Sequence, residues 1–494
     1  MRCFPARTEA AGGKGCTMKE QKKLGLCSVV ATGVGLIVAT STLLSLGQGS
    51  AAVGTPFIIT MAIACALNIL TALSISELNA LMPNLTGGLA QYTLACMGPF
   101  VSIIAMVGGY LTCMTIVGSA ECAMFGNTLN SVLPQAGIPG SVYCILLLVV
   151  LILVNLNGVD IFAKIQNVVA YGLIGSLIVM GILGTIRCGT GTVVEQPAVL
   201  SAKFTDVTSL CGLAFFLFIG CEFVVPISNK VKNARRNIPL GMVISLAVVM
   251  LFQTLMVFGF HNYTPWGGLG ESATPHIFYG TMLFGPVGTV WMAIVSILAV
   301  TSTINTIISS LGYICQGMAK INLLPSVFAK SNKKGAPWVG ILVIGGAMVV
   351  INATGLSTSS QLSFLILTGS VFWMVAYIIS HCNVLILRRR LPRAPRTFKL
   401  PGGPFIPIVG IAGTAWMIYN IASDPGTRLQ IYLVCLLIFA ILTLYAFIWV
   451  KGVRKQKLFK PLPLHTVMAM ENELYQVYHK RGRHAGAAKE KSVS

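Results

Sequence analysis

Two acidic residues, Glu121 and Glu222, lie inside long apolar stretches of the chain. A carboxyl group in a hydrocarbon environment is costly enough that gating, proton handling or attraction of a cation is the default reading, with a satisfied structural hydrogen bond as the alternative. Two runs of small residues accompany them. Gly33-Val34-Gly35 is followed by Ala39-Thr40-Ser41, and Phe218-Ile219-Gly220 precedes Cys221-Glu222. A helix broken at such a run exposes backbone N–H and C=O groups, which an apolar medium tolerates only where they face protein, water or ligand. A small zwitterion matches that need. Its carboxylate accepts from the positive end of one half-helix, and its ammonium faces the carbonyls at a negative end. Close helix packing through small residues is the alternative for both runs. Thr301-Ser302-Thr303 and Asn305 offer hard oxygen ligands to a cation such as Na+, or hydroxyls that help helices pack.

The elements that must position these groups follow from composition. Of 494 residues, 55% are hydrophobic and only 10% charged, and the mean hydropathy is +0.82. An ordinary soluble protein carries roughly 25% charged residues, so a soluble globular enzyme is excluded. Apolar runs long enough to span a bilayer fall near 24–46, 56–81, 89–125, 141–156, 164–185, 208–227, 239–260, 285–312, 338–354, 361–387, 404–422 and 429–450, which predicts twelve transmembrane helices. The chain divides into a cytoplasmic tail at 1–23, a transporter-like domain at 24–450 and a second cytoplasmic tail at 451–494. The first and sixth runs carry the two small-residue interruptions. Paired interruptions at matching places in two halves point to an inverted repeat with a midplane site, spans one to five against six to ten.

The net charge of +21, from 34 Lys and Arg against 13 Asp and Glu, would suggest nucleic acid in a soluble protein. Its placement says otherwise. With the amino terminus in the cytoplasm, only Arg187, Lys203 and Arg428 fall on the outer side, and every other Lys and Arg falls on the inner side. The charge therefore records topology by the positive-inside rule, and the expected partners are a lipid bilayer and a small molecule, with no nucleic acid. The fourteen cysteines have no metal or disulfide spacing. His261 and His276 are placed in an outer loop and His381 near a cytoplasmic end, without the ligand spacing of a metal site, so no metal and no cofactor are expected. The stretch before Met18 has no signal-peptide core, and Met18-Lys19-Glu20 is a second candidate start, which sequencing of the natural amino terminus decides. A short helix at 467–479 in the second tail has no assigned function.

Ordered motifs then connect the chain to a family. Glu77-Leu78 with Pro83-Asn84-Leu85-Thr86-Gly87-Gly88, Gln91-Tyr92 and Gly98-Pro99 resembles the segment joining the second and third spans of the amino acid–polyamine–organocation (APC) permeases. Phe218-Ile219-Gly220-Cys221-Glu222 resembles their F-x-G-x-E, and Lys230 to Pro239 their V-K-N-P-x-R-N-I-P. Met318-Ala319-Lys320 with Leu324-Pro325, and Phe398 to Pro404, resemble two further loops of that family. The resemblance implies an all-α membrane protein with a five-plus-five inverted repeat, broken first and sixth helices and two further helices. It also implies secondary active transport of amino acids or related amines across the plasma membrane, by ion-coupled symport or by exchange, and no enzymatic activity. A receptor, channel or intramembrane enzyme is the remote alternative. Carried over by position, Ala39, Thr40 and Ser41 fall at the first-helix break that receives a substrate carboxylate. Phe216 falls at an aromatic gate, Phe218, Ile219 and Gly220 at the sixth-helix break, and Glu222 on the family's Glu. Thr301 and Ser302 fall where sodium-dependent relatives hold the ion. Two departures stand out. Ala39 and Ser41 replace glycines, and Gly172 falls where proton-coupled relatives carry a lysine, so the coupling ion, H+ or Na+, stays open.

Overall fold

The structure, a computed structural model, describes residues 24–82, 89–157, 161–201, 203–225, 231–356, 361–394, 396 and 398–469; of residue 36 and residues 161–170 it describes the backbone alone. The first tail with Met18, the motif residues Pro83 to Gly88, Lys230 and the tail beyond Ala469 lie outside those ranges.

Among the described residues the chain is helical, with no strand beyond two isolated bridges, Leu24 to Val231 and Gly54 to Val199. Helices are what a polypeptide in hydrocarbon must form, because every backbone group is then paired within its own segment. Leu26–Ile37 (α1) and Thr40–Val53 (α2) are followed by Phe57–Leu81 (α3), Leu89–Cys96 (α4) and Pro99–Val132 (α5). Gly140–Leu156 (α6), Ile161–Thr185 (α7) and Cys211–Phe216 (α8) come next. Ala234–Tyr263 (α9) leads into two short helices, Trp266–Glu271 (α10) and Pro275–Phe284 (α11). Pro286–Lys320 (α12), Trp338–Ala353 (α13), Leu362–Arg390 (α14), Phe405–Tyr419 (α15), Pro425–Val453 (α16) and Leu464–Ala469 (α17) complete the order.

Among the described residues six helices are long and apolar enough to cross a membrane: α3, α5, α9, α12, α14 and α16. The pair α1 and α2 meets the same test as one span bent by 67°. Several boundaries follow from local chemistry. Gly98 and Gly285 take positive φ of 88° and 62°, which side chains rarely allow, and a proline stands just inside each helix that follows. The expected span at 89–125 is therefore two helices, divided at Gly98, with the second running on to Val132. Asp424 caps α16 by accepting the Thr427 N–H at 2.6 Å. That bond holds the exposed carboxyl below the usual carboxylate range.

Close approach is set by small residues. A Cβ on Gly126 would meet the backbone of Gly140, so α5 and α6 touch main chain to main chain, and one on Gly109 would strike Ala376 of α14. α14 packs against α3, α4, α5 and α15, and α1 against α7 and α9.

One end of the bundle is tied by charge. Glu77, near the end of α3 and 2% exposed, accepts from Arg388 of α14 at 2.9 and 2.5 Å and from the Leu400 N–H at 2.8 Å, with Arg396 at 3.3 Å. Arg388 also donates to the Gly403 carbonyl. The Glu77 and Phe398–Pro404 motifs thus meet in one structural knot. The Lys230–Pro239 motif is tied to the start of α1 through the Lys232 N–H to the Leu24 carbonyl at 2.9 Å.

Candidate functional site

Both small-residue runs are breaks in helical backbone. Between α1 and α2 the chain is extended at Val38 and Ala39, with φ of −85° and −117°. After α8 it turns through Leu217 to Gly220, whose φ of +116° disfavours any side chain, and resumes as a tight turn of helix at Cys221–Val224. The halves cross-pack: α1 lies against Cys221–Val224, and α2 against α8.

A cavity of about 830 Å³ opens between the breaks. Gly35, Ile37, Ala39 and Thr42 line it from the first break, and Phe216, Ile219, Gly220 and Glu222 from the second. Met106, Tyr110, Met114 and Val117 of α5, Thr303, Thr306 and Ile307 of α12, and Trp373 of α14 form the remaining inner walls. The cavity extends to the end of the bundle that carries Gln91, Tyr92, Gln316 and Lys320. At the opposite end, side chains cross between helices. Ser363 of α14 donates to Gln48 of α2 at 2.5 Å, and Ser131 of α5 and Thr274 beside α11 are 3.2 Å apart.

Glu222 sits in this wall within an aromatic cage. Trp373 Nε1 donates to Oε1 at 2.8 Å, Tyr377 Oη to Oε2 at 2.9 Å and Tyr110 Oη to Oε1 at 3.4 Å. The rings of Tyr110, Phe223 and Trp373 pack on one another with centroids 5.5 to 5.9 Å apart. Tyr110 reaches Glu222 from a π-helical segment of α5, Ile104–Thr112, a local widening of the helix that commonly marks a working site. A hydrogen bond to a buried carboxyl group contributes about 1 kcal/mol when neutral and more when ionised. The cage couples α5, α14 and the second break through one carboxyl group.

Glu121 occupies a different place. It is 1% exposed, stands outside the cavity wall and faces the start of α2, where Oε1 accepts the Thr40 N–H at 2.8 Å and Oε2 the Ser41 N–H at 2.7 Å. Those are two of the N–H groups that a helix start leaves without a partner. The next one, at Thr42, goes to the Ala39 carbonyl at 3.1 Å.

The expected site residues thus divide. Ala39, Phe216, Ile219, Gly220 and Glu222 meet at the cavity, whereas Thr40 and Ser41 turn away from it toward Glu121 and Phe218 is fully buried in the core. Thr301 and Ser302 do not line the cavity; Thr301 Oγ1 donates to the Ile297 carbonyl of its own helix at 2.7 Å, and the next turn supplies Thr303 and Thr306 instead. Tyr110, Trp373 and Tyr377 were not anticipated, since a lone aromatic in an apolar helix reads as core. Two of the histidines, His261 and His276, stand on helices where a loop was expected. His276 is buried in α11 with Nε2 2.7 Å from the Ser296 hydroxyl. His381 is buried in α14, its ring nitrogens 3.1 and 2.9 Å from the Thr71 and Ser74 hydroxyls. His261 closes the last turn of α9.

Comparison with known proteins agrees with this architecture. The chain is 23% identical over 440 residues to the branched-chain amino acid permease BcaP of Bacillus subtilis (strain 168), covering 84% of this chain and 91% of that protein. The crystal structure of the Eremococcus coleocola manganese transporter with an aromatic bis-isothiourea compound superposes with a TM-score of 0.56 at 14% identity, covering 90% of this chain and 97% of that one. A substituted form of the same transporter gives 0.55, with the same identity and coverage. At that identity the likeness concerns the fold. The family model for amino acid permeases matches residues 24–442, and with it the chain belongs to the amino acid permease family.

Proposed function

We propose that the protein is a secondary active transporter that carries amino acids or related amines across the plasma membrane by alternating access. The observation that supports it most is the cavity at two matched helix breaks, closed toward one end of the bundle and extended toward the other. The six long spans, the bent pair and the five shorter apolar helices make twelve crossings, with the five-plus-five inverted repeat spanning the two breaks and two helices added after it. Residues 24–450 form the transport domain between two cytoplasmic tails. In that topology Gln316 and Lys320 face the cytoplasm, so the cavity is the inward-facing state, and the Gln48 to Ser363 bond belongs to the closed outer gate.

The substrate occupies the space between Ala39, Phe216, Ile219, Gly220 and Glu222. Glu222 acts as the gating or proton-handling group, because it is the acid in the wall and its cage ties together the helices that must rock. Transport is ion-coupled symport. Gly172, with open space around it, offers no lysine amine for a proton, which leaves Glu222 for H+ or the hydroxyls of α12 for Na+.

Uptake of labelled amino acids and amines into proteoliposomes under imposed H+ or Na+ gradients tests the proposal. Accumulation above the outside concentration, abolished when one gradient is collapsed, is expected. Counterflow that needs a substrate inside and ignores both gradients would instead identify an exchanger. The absence of either for every compound would reject transport of this class.

A further inference from the structure

The start of α2 is where an amino-acid carboxylate would be received, and it is already occupied. Glu121 places one oxygen on the Thr40 N–H at 2.8 Å and the other on the Ser41 N–H at 2.7 Å. The Thr40 and Ser41 hydroxyls are buried beside the same carboxyl group. We propose that Glu121 is a built-in replacement for the substrate carboxylate, and that the transported compound is an organic ammonium ion without one.

Displacement of Glu121 by an incoming carboxylate is the competing possibility, and the geometry opposes it. The side chain is 1% exposed and outside the cavity wall, and among the described residues it forms no ion pair that could hold it once released. Freeing it would leave a buried carboxyl group without its two N–H donors, which costs free energy in either protonation state. Nor can α5 readily carry it away. Cβ atoms built on Gly118 and Gly126 would press on Met348 and on the Gly140 backbone, so the helix has no slack on that side.

What remains for a ligand favours a cation. Gly35 has no side chain, so its part of the wall is backbone from the end of α1, where carbonyls lack helical partners and the helix dipole is negative. The Glu222 carboxyl supplies an acidic group, and the rings of Tyr110, Phe223 and Trp373 beside it offer faces to an ammonium group. Lys320 lies at the mouth, well along α12 from Thr303. Met114, Val117 and Ile307 leave the rest of the pocket apolar, fit for a hydrocarbon body.

This substrate class presupposes the transport function proposed above, and the test separates the two. Affinities of the purified full-length protein are measured by calorimetry for the proteinogenic amino acids and for the amines formed by their decarboxylation, leucine against 3-methylbutylamine and phenylalanine against phenethylamine included. The amine of the best-bound pair is expected to bind at least about tenfold more tightly than its amino acid. Glu121→Gln, which cannot accept from both N–H groups, should narrow that ratio by about tenfold through a gain for the amino acid. Equal or tighter binding of the amino acid to the wild-type protein would overturn the inference while leaving the transport function standing, and this arm holds even if the variant fails to fold. An unchanged ratio in a folded Glu121→Gln protein would also overturn it. Binding of no compound in the panel would reject both.

Discussion

Trp373 Nε1 donates to Glu222 Oε1 at 2.8 Å, joining α14 to the second helix break through a side chain that also lines the cavity. Because Tyr377 and Tyr110 donate to the same carboxyl, its loss affects two helices as well as the pocket. Glu222→Gln keeps the volume and the Trp373 bond, and its NH2 can pair with the Tyr377 hydroxyl turned to accept, but it can neither ionise nor exchange a proton. We expect uptake in proteoliposomes to fall by about tenfold or more and to lose its pH dependence. A variant with normal rate and normal pH dependence would remove Glu222 from gating and proton handling. Trp373→Phe should lower unfolding stability by about 1–2 kcal/mol, because a buried carboxyl group loses one of its donors, read as a lower thermal midpoint in detergent.

Gly220 holds φ at +116° in the cavity wall, where a side chain would bring both backbone strain and bulk. Gly220→Ile should abolish binding while the protein still reaches the membrane, and Gly220→Ala should cost about 1–3 kcal/mol from conformation. Unaltered uptake by the isoleucine variant would place the substrate elsewhere.

Gly109 lies in the π-helical segment, against Ala376. A Val there pushes α5 from α14 and draws Tyr110 away from Glu222. Substrate affinity is expected to drop by about tenfold, with Gly109→Ala intermediate, and equal affinity in all three proteins would show that the segment does not position Tyr110.

Glu77 and Arg388 form a two-pronged pair at the end of α3 and α14. Removing one partner strands the other, so Arg388→Ala should destabilise the fold by about 3 kcal/mol or more. Arg388→Lys should recover only part of that, since an ammonium cannot make both bonds. Thermal unfolding of the three proteins in detergent ranks them, and equal midpoints would show the pair to be energetically idle.

Part of this site is legible in the sequence. Ala39, Gly220 and Glu222 could be found because small residues and an acid inside apolar runs contradict what hydrocarbon tolerates, and the two runs recur at matching places; Phe216 came with the family resemblance alone. Other features carried no local signal. Glu121 binds N–H groups 80 and 81 positions away in sequence, a pairing that only tertiary packing creates. Tyr110, Trp373 and Tyr377 stand in helices whose polar residues are scattered rather than gathered on one face, so no periodicity separates a ring in a pocket from a ring in the core. The same lack of facing explains why Thr303 and Thr306 could not be told from Thr301 and Ser302 as the hydroxyls of α12 that reach the cavity. Each residue advances about 100° around a helix, and a one- or two-residue error changes the wall it lines.

A cryo-EM map of the full-length protein with the tightest-binding compound tests the central claim most directly. Ligand density between Ala39, Gly220 and Glu222, with its ammonium toward the aromatic cage and Glu121 still on the Thr40 and Ser41 N–H groups, is the predicted result. Density outside the two breaks, or a ligand carboxylate in place of Glu121, would contradict it.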